Sequence, residues 1–149
     1  MLSSLLAPDS ISLDLAGTSR DEVLTELGAL LPLSPNDRTA VQKLLKRREG
    51  LGSTGVGRGI AIPHARTSLI DDLRLAYGRH ERGVSYGAID ALPVHHFLLI
   101  IAPPIEFSNE YLPVLGRVAQ FAKEEDVPAR LSAMASKEDL LQLLREKGL

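Results

Sequence analysis

Residues 48–64 read Arg48-Glu49-Gly50-Leu51-Gly52-Ser53-Thr54-Gly55-Val56-Gly57-Arg58-Gly59-Ile60-Ala61-Ile62-Pro63-His64, a basic helix end that runs into a glycine-spaced loop, then a short apolar run, then one histidine. Glycines at positions 50, 52, 55, 57 and 59 let backbone N–H groups approach a bound group, and Ser53 and Thr54 add hydroxyl donors. Arg48 and Arg58 bring fixed positive charge suited to phosphate oxygens. The loop reads as an anion cradle with a nucleophile, His64, at its end. Two standard phosphate loops are excluded. The nucleotide P-loop requires Gly-Lys followed by Ser or Thr, and no lysine lies between Lys46 and Lys123. The dinucleotide fingerprint requires strand, glycine motif, then helix; here a helix precedes and a strand follows. Neither ATP nor NAD is implied, and no cofactor is expected. A surface hairpin with an incidental histidine is the plain structural alternative.

Outward from this loop the periodicities alternate. Ile11, Leu13 and Leu15 mark a half-buried strand. Ser19 and Glu22 have capping-box spacing, and Val23, Leu24, Leu27, Leu30 and Leu31 give the helix its apolar face up to Pro32. Ser34-Pro35 opens a second helix carrying Val41, Leu44 and Leu45, with Lys43, Lys46, Arg47 and Arg48 at its end, where cations suit the dipole, and Gly50 as its stop. Leu73, Leu75 and Tyr77 mark a strand, Arg79 to Gly83 reads as a polar turn with His80 solvated, and a weaker strand is expected over Val84 to Ile89. Val94 to Ile101 is apolar on both faces and belongs near the centre of a helix-covered sheet. Beyond Pro103-Pro104, Ser108 or Asn109 is expected to cap a helix with Leu112, Leu115, Val118, Ala119 and Ala122 inward. Pro128 to Ala135 and a last helix capped by Ser136 complete the chain. The expectation is α/β: one domain, residues 1–149, with a mixed β-sheet flanked by helices on both faces and a helical C-terminal part.

At 149 residues, with 44% hydrophobic and 24% charged residues, the chain is long enough for a substantial core and unlike a disordered one. A net charge of −2 gives no reason to expect nucleic-acid binding. With no cysteine there is neither a disulfide framework nor thiol chemistry. Met1 to Pro8 lacks the pattern of a signal peptide, and the longest apolar run, Phe97 to Ala102, is too short to span a membrane, so a cytoplasmic, stand-alone protein is expected.

Arg48-Glu49, Ser53-Thr54-Gly55 and Gly59-Ile60-Ala61-Ile62-Pro63-His64 resemble the active-site signature of enzyme IIA of the bacterial phosphoenolpyruvate-dependent phosphotransferase system, in its fructose, mannitol and nitrogen-regulatory class. The resemblance extends through Leu92-Pro93-Val94, Ala102-Pro103 and the Leu112-x-x-Leu115 helix. It implies that His64 is phosphorylated, that Arg48 helps hold the phosphoryl group, and that Ser53, Thr54 and Gly55 bind phosphate. It implies an HPr-like phosphocarrier, or its nitrogen-branch counterpart, as donor, and a IIB domain or a regulated transporter or kinase as the partner beyond. One departure stands out. Where the family places a second histidine, this chain has Tyr111. A phenol hydrogen-bonds but lacks the charge of a protonated imidazole, which argues against rapid onward transfer.

A non-relay regulator that keeps the IIA fold is therefore the alternative reading. A metal-dependent hydrolase built on His64, His80, His95 or His96 is a third, but no His-Glu-x-x-His helix is present, and His95 and His96 face opposite sides of a strand.

Overall fold

A computed structural model describes residues 1–149. Two 3₁₀ turns, Leu2–Leu5 and Pro8–Ser10, lead into β1 (Ile11–Ser12), α1 (Arg20–Ala29), α2 (Pro35–Leu51), β2 (Gly55–Gly57), β3 (Ile60–Ala61), β4 (His64–Arg66), β5 (Arg74–Val84), β6 (Val94–Ala102), α3 (Tyr111–Lys123), α4 (Val127–Ala133) and α5 (Lys137–Glu146). The six strands form one mixed sheet in the order β1-β5-β6-β3-β2, and β4 pairs with β6 beyond β3.

β6 is the spine. Its residues alternate between two cores: Leu98, Ile100 and Ala102 pack with α3, α4 and α5, while Phe97, Leu99 and Ile101 pack with α1 and α2. A strand apolar on both faces must be covered on both, and five helices in two layers do so. Each fully buried side chain of this size contributes about 1.5–3 kcal/mol. β5 runs antiparallel to β6, while β3 and β4 run parallel to it on the other side. Ser19 caps α1, Ser34 caps α2 with Pro35 in its first turn, and Ser136 with Asp139 forms a reciprocal capping box on α5.

Several boundaries differ from the sequence expectation. The polar segment Arg79 to Gly83 is not a turn; β5 continues through it to Val84, with a register irregularity against β6. Its polar groups have distant partners. Arg79 donates from Nε to the Leu13 carbonyl (3.3 Å) and from Nη1 to those of Leu131 (3.1 Å) and Met134 (2.7 Å). His80 is buried rather than solvated, donating from Nε2 to the Gly17 carbonyl (2.8 Å) and accepting the Gly83 N–H at Nδ1 (3.0 Å). Gly83 has φ +84°, and a Cβ there would lie 2.7 Å from the His95 ring, so only glycine fits. Residues 85–89 form no strand. β1 stops at Ser12, and α2 runs one residue past Gly50, to Leu51. Neither Ser108 nor Asn109 caps α3; Glu110 holds that position, and the helix phase buries Tyr111 while Leu112 is exposed.

His96 is 2% exposed, pairs with the Tyr77 hydroxyl through Nδ1 (2.8 Å) and with Ser132 Oγ through Nε2 (3.1 Å). Burial above all, with the charges of His95 and Arg79 adding to it, pushes its pKa down to about 4. The unfolded chain therefore takes up a proton at His96 first as pH falls. Stability present above about pH 6.5 should be lost as the pH approaches 4, by on the order of 3 kcal/mol from this group. Denaturant unfolding measured between pH 7 and pH 4 should show this slope, and His96→Asn should flatten it.

Candidate functional site

β4 is only three residues long, and its position at the sheet edge decides what gathers around it. Ala65 faces the α1/α2 core, so His64 and Arg66 project together from the opposite side of the strand, with Cβ atoms about 7 Å apart. The last turns of α2 and the first residue of α3 flank them. Together Leu44, Arg47, Arg48, Leu51, His64, Ala65, Arg66 and Tyr111 enclose a cleft of about 380 Å³.

His64 is half-buried and its ring is oriented by the backbone: Nδ1 lies 2.6 Å from the Ile62 carbonyl. A carbonyl only accepts, so Nδ1 carries a proton, and in the neutral ring Nε2 is the nitrogen with the lone pair. Pro63 makes this possible, since it has no N–H and interrupts the ladder between β3 and β4. Tyr111 lies with its ring centroid 6.1 Å from that of His64, tilted by 52°. The Arg66 guanidinium carbon sits 4.6 Å from the Tyr111 centroid, over the ring face. Arg66 Nη1 donates to the Pro103 carbonyl (2.8 Å), and Arg48 Nη1 donates to the Gly52 carbonyl (2.8 Å). Burial pushes the Tyr111 phenol up, against a downward pull from the charges of Arg66 and Arg48. The cleft thus holds one nucleophilic nitrogen, three arginines (Arg47, Arg48 and Arg66) and a phenol that makes no hydrogen bond within the protein.

Of the residues singled out in the sequence, His64, Arg48 and Tyr111 share this cleft, and Ser53, Thr54 and Gly55 do not line it. Those three have internal tasks. Ser53 Oγ donates to the Tyr86 carbonyl (3.1 Å) and accepts the Gly55 N–H (3.0 Å). Thr54 gives its N–H (3.0 Å) and its hydroxyl to the Glu49 carboxylate, which also accepts the Tyr86 hydroxyl (2.8 Å). Gly55 packs so closely on Ala88 that a Cβ would stand 2.9 Å from its Cα. The expected open phosphate cradle is therefore a braced turn. Arg58 is also withdrawn, its guanidinium bonded to the Ala122 and Glu124 carbonyls at the end of α3. Glu49, quoted in the Arg48-Glu49 pair without a role, proves to be a buried carboxylate (3% exposed), and sequence reasoning misses Arg66 altogether, its only signal being its i+2 spacing from His64 on a strand.

A second cleft, of about 570 Å³, lies around Arg79, His80, His95 and His96. His96 pairs with Ile60 and His64 with Ile100, so the two clefts are about 13 Å apart along β6. The polar atoms of Arg79, His80 and His96 are largely spent on the fold itself, as is Nδ1 of His95, which donates to the His80 and Glu81 carbonyls (3.1 Å each). No three His, Asp or Glu side chains anywhere converge in a metal-ligating arrangement.

The family model described as "Phosphoenolpyruvate-dependent sugar phosphotransferase system, EIIA 2" matches residues 4–147. The chain belongs to this EIIA family. It is 29% identical over 144 residues to a nitrogen regulatory protein of Bradyrhizobium diazoefficiens, covering 96% of this chain and 94% of that one. It is also 29% identical over 147 residues to the fructose-specific EIIABC component of Bacillus subtilis, where the match covers 97% of this EIIA chain but spans only 23% of the longer protein. Its fold superimposes on the crystal structure of the nitrogen regulatory protein IIA-Ntr from Neisseria meningitidis with a TM-score of 0.87 at 29% identity, covering 96% of this chain and 98% of that one. The Escherichia coli IIA mannitol structure, 23% identical with a TM-score of 0.74, covers 93% of this chain and 98% of that one and shares the fold. No helix of this EIIA chain is long and apolar enough to cross a membrane.

Removing the Glu49 carboxylate should leave Thr54 N–H, Thr54 O–H and Tyr86 O–H without a partner in a buried place. Glu49→Ala should lower the unfolding free energy by about 3 kcal/mol, and Glu49→Gln by less, read from denaturant midpoints at pH 7. An unchanged midpoint in Glu49→Ala would show that the turn is held by other contacts.

Proposed function

We propose that this protein is a phosphoryl carrier whose phosphorylated residue is His64. The observation that carries the reading is the set orientation of the imidazole: Nδ1–H is committed to the Ile62 carbonyl, and Nε2 is free in a cleft with Arg48 and Arg66. In the forward step the Nε2 lone pair attacks phosphorus. The new N–P bond forms as the P–N bond to the donor's phosphohistidine breaks, and that electron pair returns to the donor imidazole. No proton needs to leave Nδ1. Such transfer demands positioning and charge stabilisation and little else from the protein, which suits one imidazole beside fixed cations.

The donor is an HPr-like phosphocarrier or its nitrogen-branch counterpart. The acceptor is a cysteine of a IIB domain or, in a regulatory role, none, the phosphorylated form then altering its binding to a transporter or kinase. The Escherichia coli IIA mannitol is described in complex with phosphorylated IIB mannitol, which fits a partner of that kind for this fold. The regulatory branch draws support from the nitrogen regulatory relatives, which match over nearly their whole length. A binding regulator without phosphoryl flux is the second reading, favoured by Tyr111 in place of the family's second histidine.

Incubation with phosphoenolpyruvate, enzyme I and HPr, and separately with the nitrogen-branch pair, should give an acid-labile adduct seen by intact mass and absent from His64→Ala. Arg48→Ala should load about 100-fold more slowly or worse while unfolding at the wild-type temperature. An adduct retained in folded His64→Ala would overturn the assignment.

A further inference from the structure

We infer that Arg66, held over the face of Tyr111, is the second cationic ligand of the phosphoryl group on His64, an inference that rests on the carrier reading above. A tyrosine in place of a histidine removes a positive charge from the cleft, but the fold returns one from the neighbouring strand. Arg66 stands two residues from His64 on the same side of β4, so its guanidinium and the His64 ring open into one cleft. Its distance of 4.6 Å from the Tyr111 centroid is a cation–π contact, and the aromatic face fixes the plane of the guanidinium. Nη1 is anchored on the Pro103 carbonyl, where the chain leaves β6. The rest of the fork makes no hydrogen bond or ion pair within the protein, leaving Nε–H and Nη2–H for an incoming group. A guanidinium presents paired donors that match phosphate oxygens in a way a single ammonium does not.

Arg47 and Arg48 line the same cleft from α2. The cleft into which His64 opens is thus lined by arginines from both α2 and β4. While the P–N bond to the donor breaks and the His64 Nε2–P bond forms, charge stays spread over the equatorial phosphoryl oxygens, which is where flanking guanidinium groups act. Arg66 is the catalytic residue in this arrangement, touching the phosphoryl oxygens. Tyr111 is a positioning residue, acting through the ring on which Arg66 rests. The pair has a property that a histidine lacks. An arginine stays charged throughout the accessible pH range, whereas an imidazole loses its charge above about pH 6.5.

The test is single-turnover phosphoryl transfer onto and off His64 in the full chain, with one donor and one IIB acceptor held constant. Arg66→Gln should slow both directions by about 100-fold. Arg66→Lys should recover only part of that, because it restores charge without the fork. Tyr111→Phe should stay within about threefold of wild type, since the ring face is kept, and Tyr111→Ala should lose about tenfold. Relative to wild type, the Arg66→Gln, Tyr111→His double variant should acquire a fall in transfer rate above about pH 6.5, with the donor's own titration common to both. Added guanidinium ion should restore part of the rate to Arg66→Ala. That response separates a phosphate ligand from a clasp on Pro103. Wild-type rates in folded Arg66→Gln, or a slow folded Arg66→Ala that guanidinium does not rescue, would overturn the assignment. If Arg66→Gln does not fold, Arg66→Lys takes its place, and equality with wild type in both directions overturns the forked contact. Failure of the wild type to form any adduct with either donor pair would instead overturn the carrier reading.

Discussion

A buried carboxylate without a cation beside it ties the site together. Glu49 is 3% exposed and receives the Thr54 N–H, the Thr54 hydroxyl and the Tyr86 hydroxyl. A carboxylate taken out of water holds its place only where hydrogen bonds replace the lost hydration, and three donors do that here. The consequence runs outward in both directions. Because Glu49 must point inward, the next residue back along α2, about 100° round the helix, is turned toward the cleft, and that residue is Arg48. Because Thr54 is pinned, its carbonyl stands ready for the Ile62 N–H (3.0 Å), which sets the approach of the chain to Pro63 and His64. The adjacent Arg48-Glu49 pair thus divides one task between two charges.

The second constraint is the spine of the sheet. β6 offers one edge to β5 and the other to β3 and then β4, so one straight strand fixes the register of all three. Between β3 and β4 the pairing is broken by Pro63, whose carbonyl still accepts the Ile100 N–H (2.9 Å). The carbonyl before it, that of Ile62, is turned to the His64 ring. A ladder interrupted for one residue therefore supplies the acceptor that selects the imidazole tautomer. The imidazole is oriented by backbone alone, so neither Arg48 nor Arg66 is spent on holding it; each gives one guanidinium nitrogen to a backbone carbonyl.

How far this was legible in the sequence depended on whether the deciding partners were local. The apolar run at Val94 to Ile101 is decided by its own composition, and so are the serine caps of α1, α2 and α5; these read correctly. Arg79 to Gly83 looks like a turn because it is polar, yet it is a strand because carbonyls from Leu13, Gly17, Leu131 and Met134 lie opposite its polar side chains. Nothing within the segment announces them. The exchange of Leu112 for Tyr111 on the buried face of α3 has a different origin: the stripe that packs into the core is Tyr111, Val114, Val118, Phe121 and Ala122, one residue out of phase with the stripe read through Leu112 and Leu115. Ser53 and Thr54 carry hydroxyls that suit phosphate equally well on paper. A buried acid five residues before Thr54 takes that hydroxyl, and the carbonyl of Tyr86 takes that of Ser53. Arg66 is hidden for another reason, since a three-residue strand is too short to display a period.

On the proposed carrier reading, the Arg66–Tyr111 pair also bears on how firmly the phosphoryl group would be held between transfers. A contact accelerates transfer only to the extent that it is stronger in the transition state than in the states on either side. On the proposed reading the phosphoryl group bears negative oxygens before, during and after transfer. Part of what a guanidinium held against an aromatic ring contributes would therefore fall on phospho-His64, and only its surplus at the transition state would speed transfer in each direction. An imidazole can give up its charge and its contact as conditions change; an arginine does neither. With arginine charge lining the cleft, a loaded His64 would stay held at pH values where an imidazole ligand has lost its charge. The exchange of histidine for tyrosine therefore does not empty the cleft of charge. In the proposed arrangement a fixed charge stands where the family has a titrating one, so the hold on the phosphorylated form would not weaken as pH rises, a property that suits a reporter of phosphorylation.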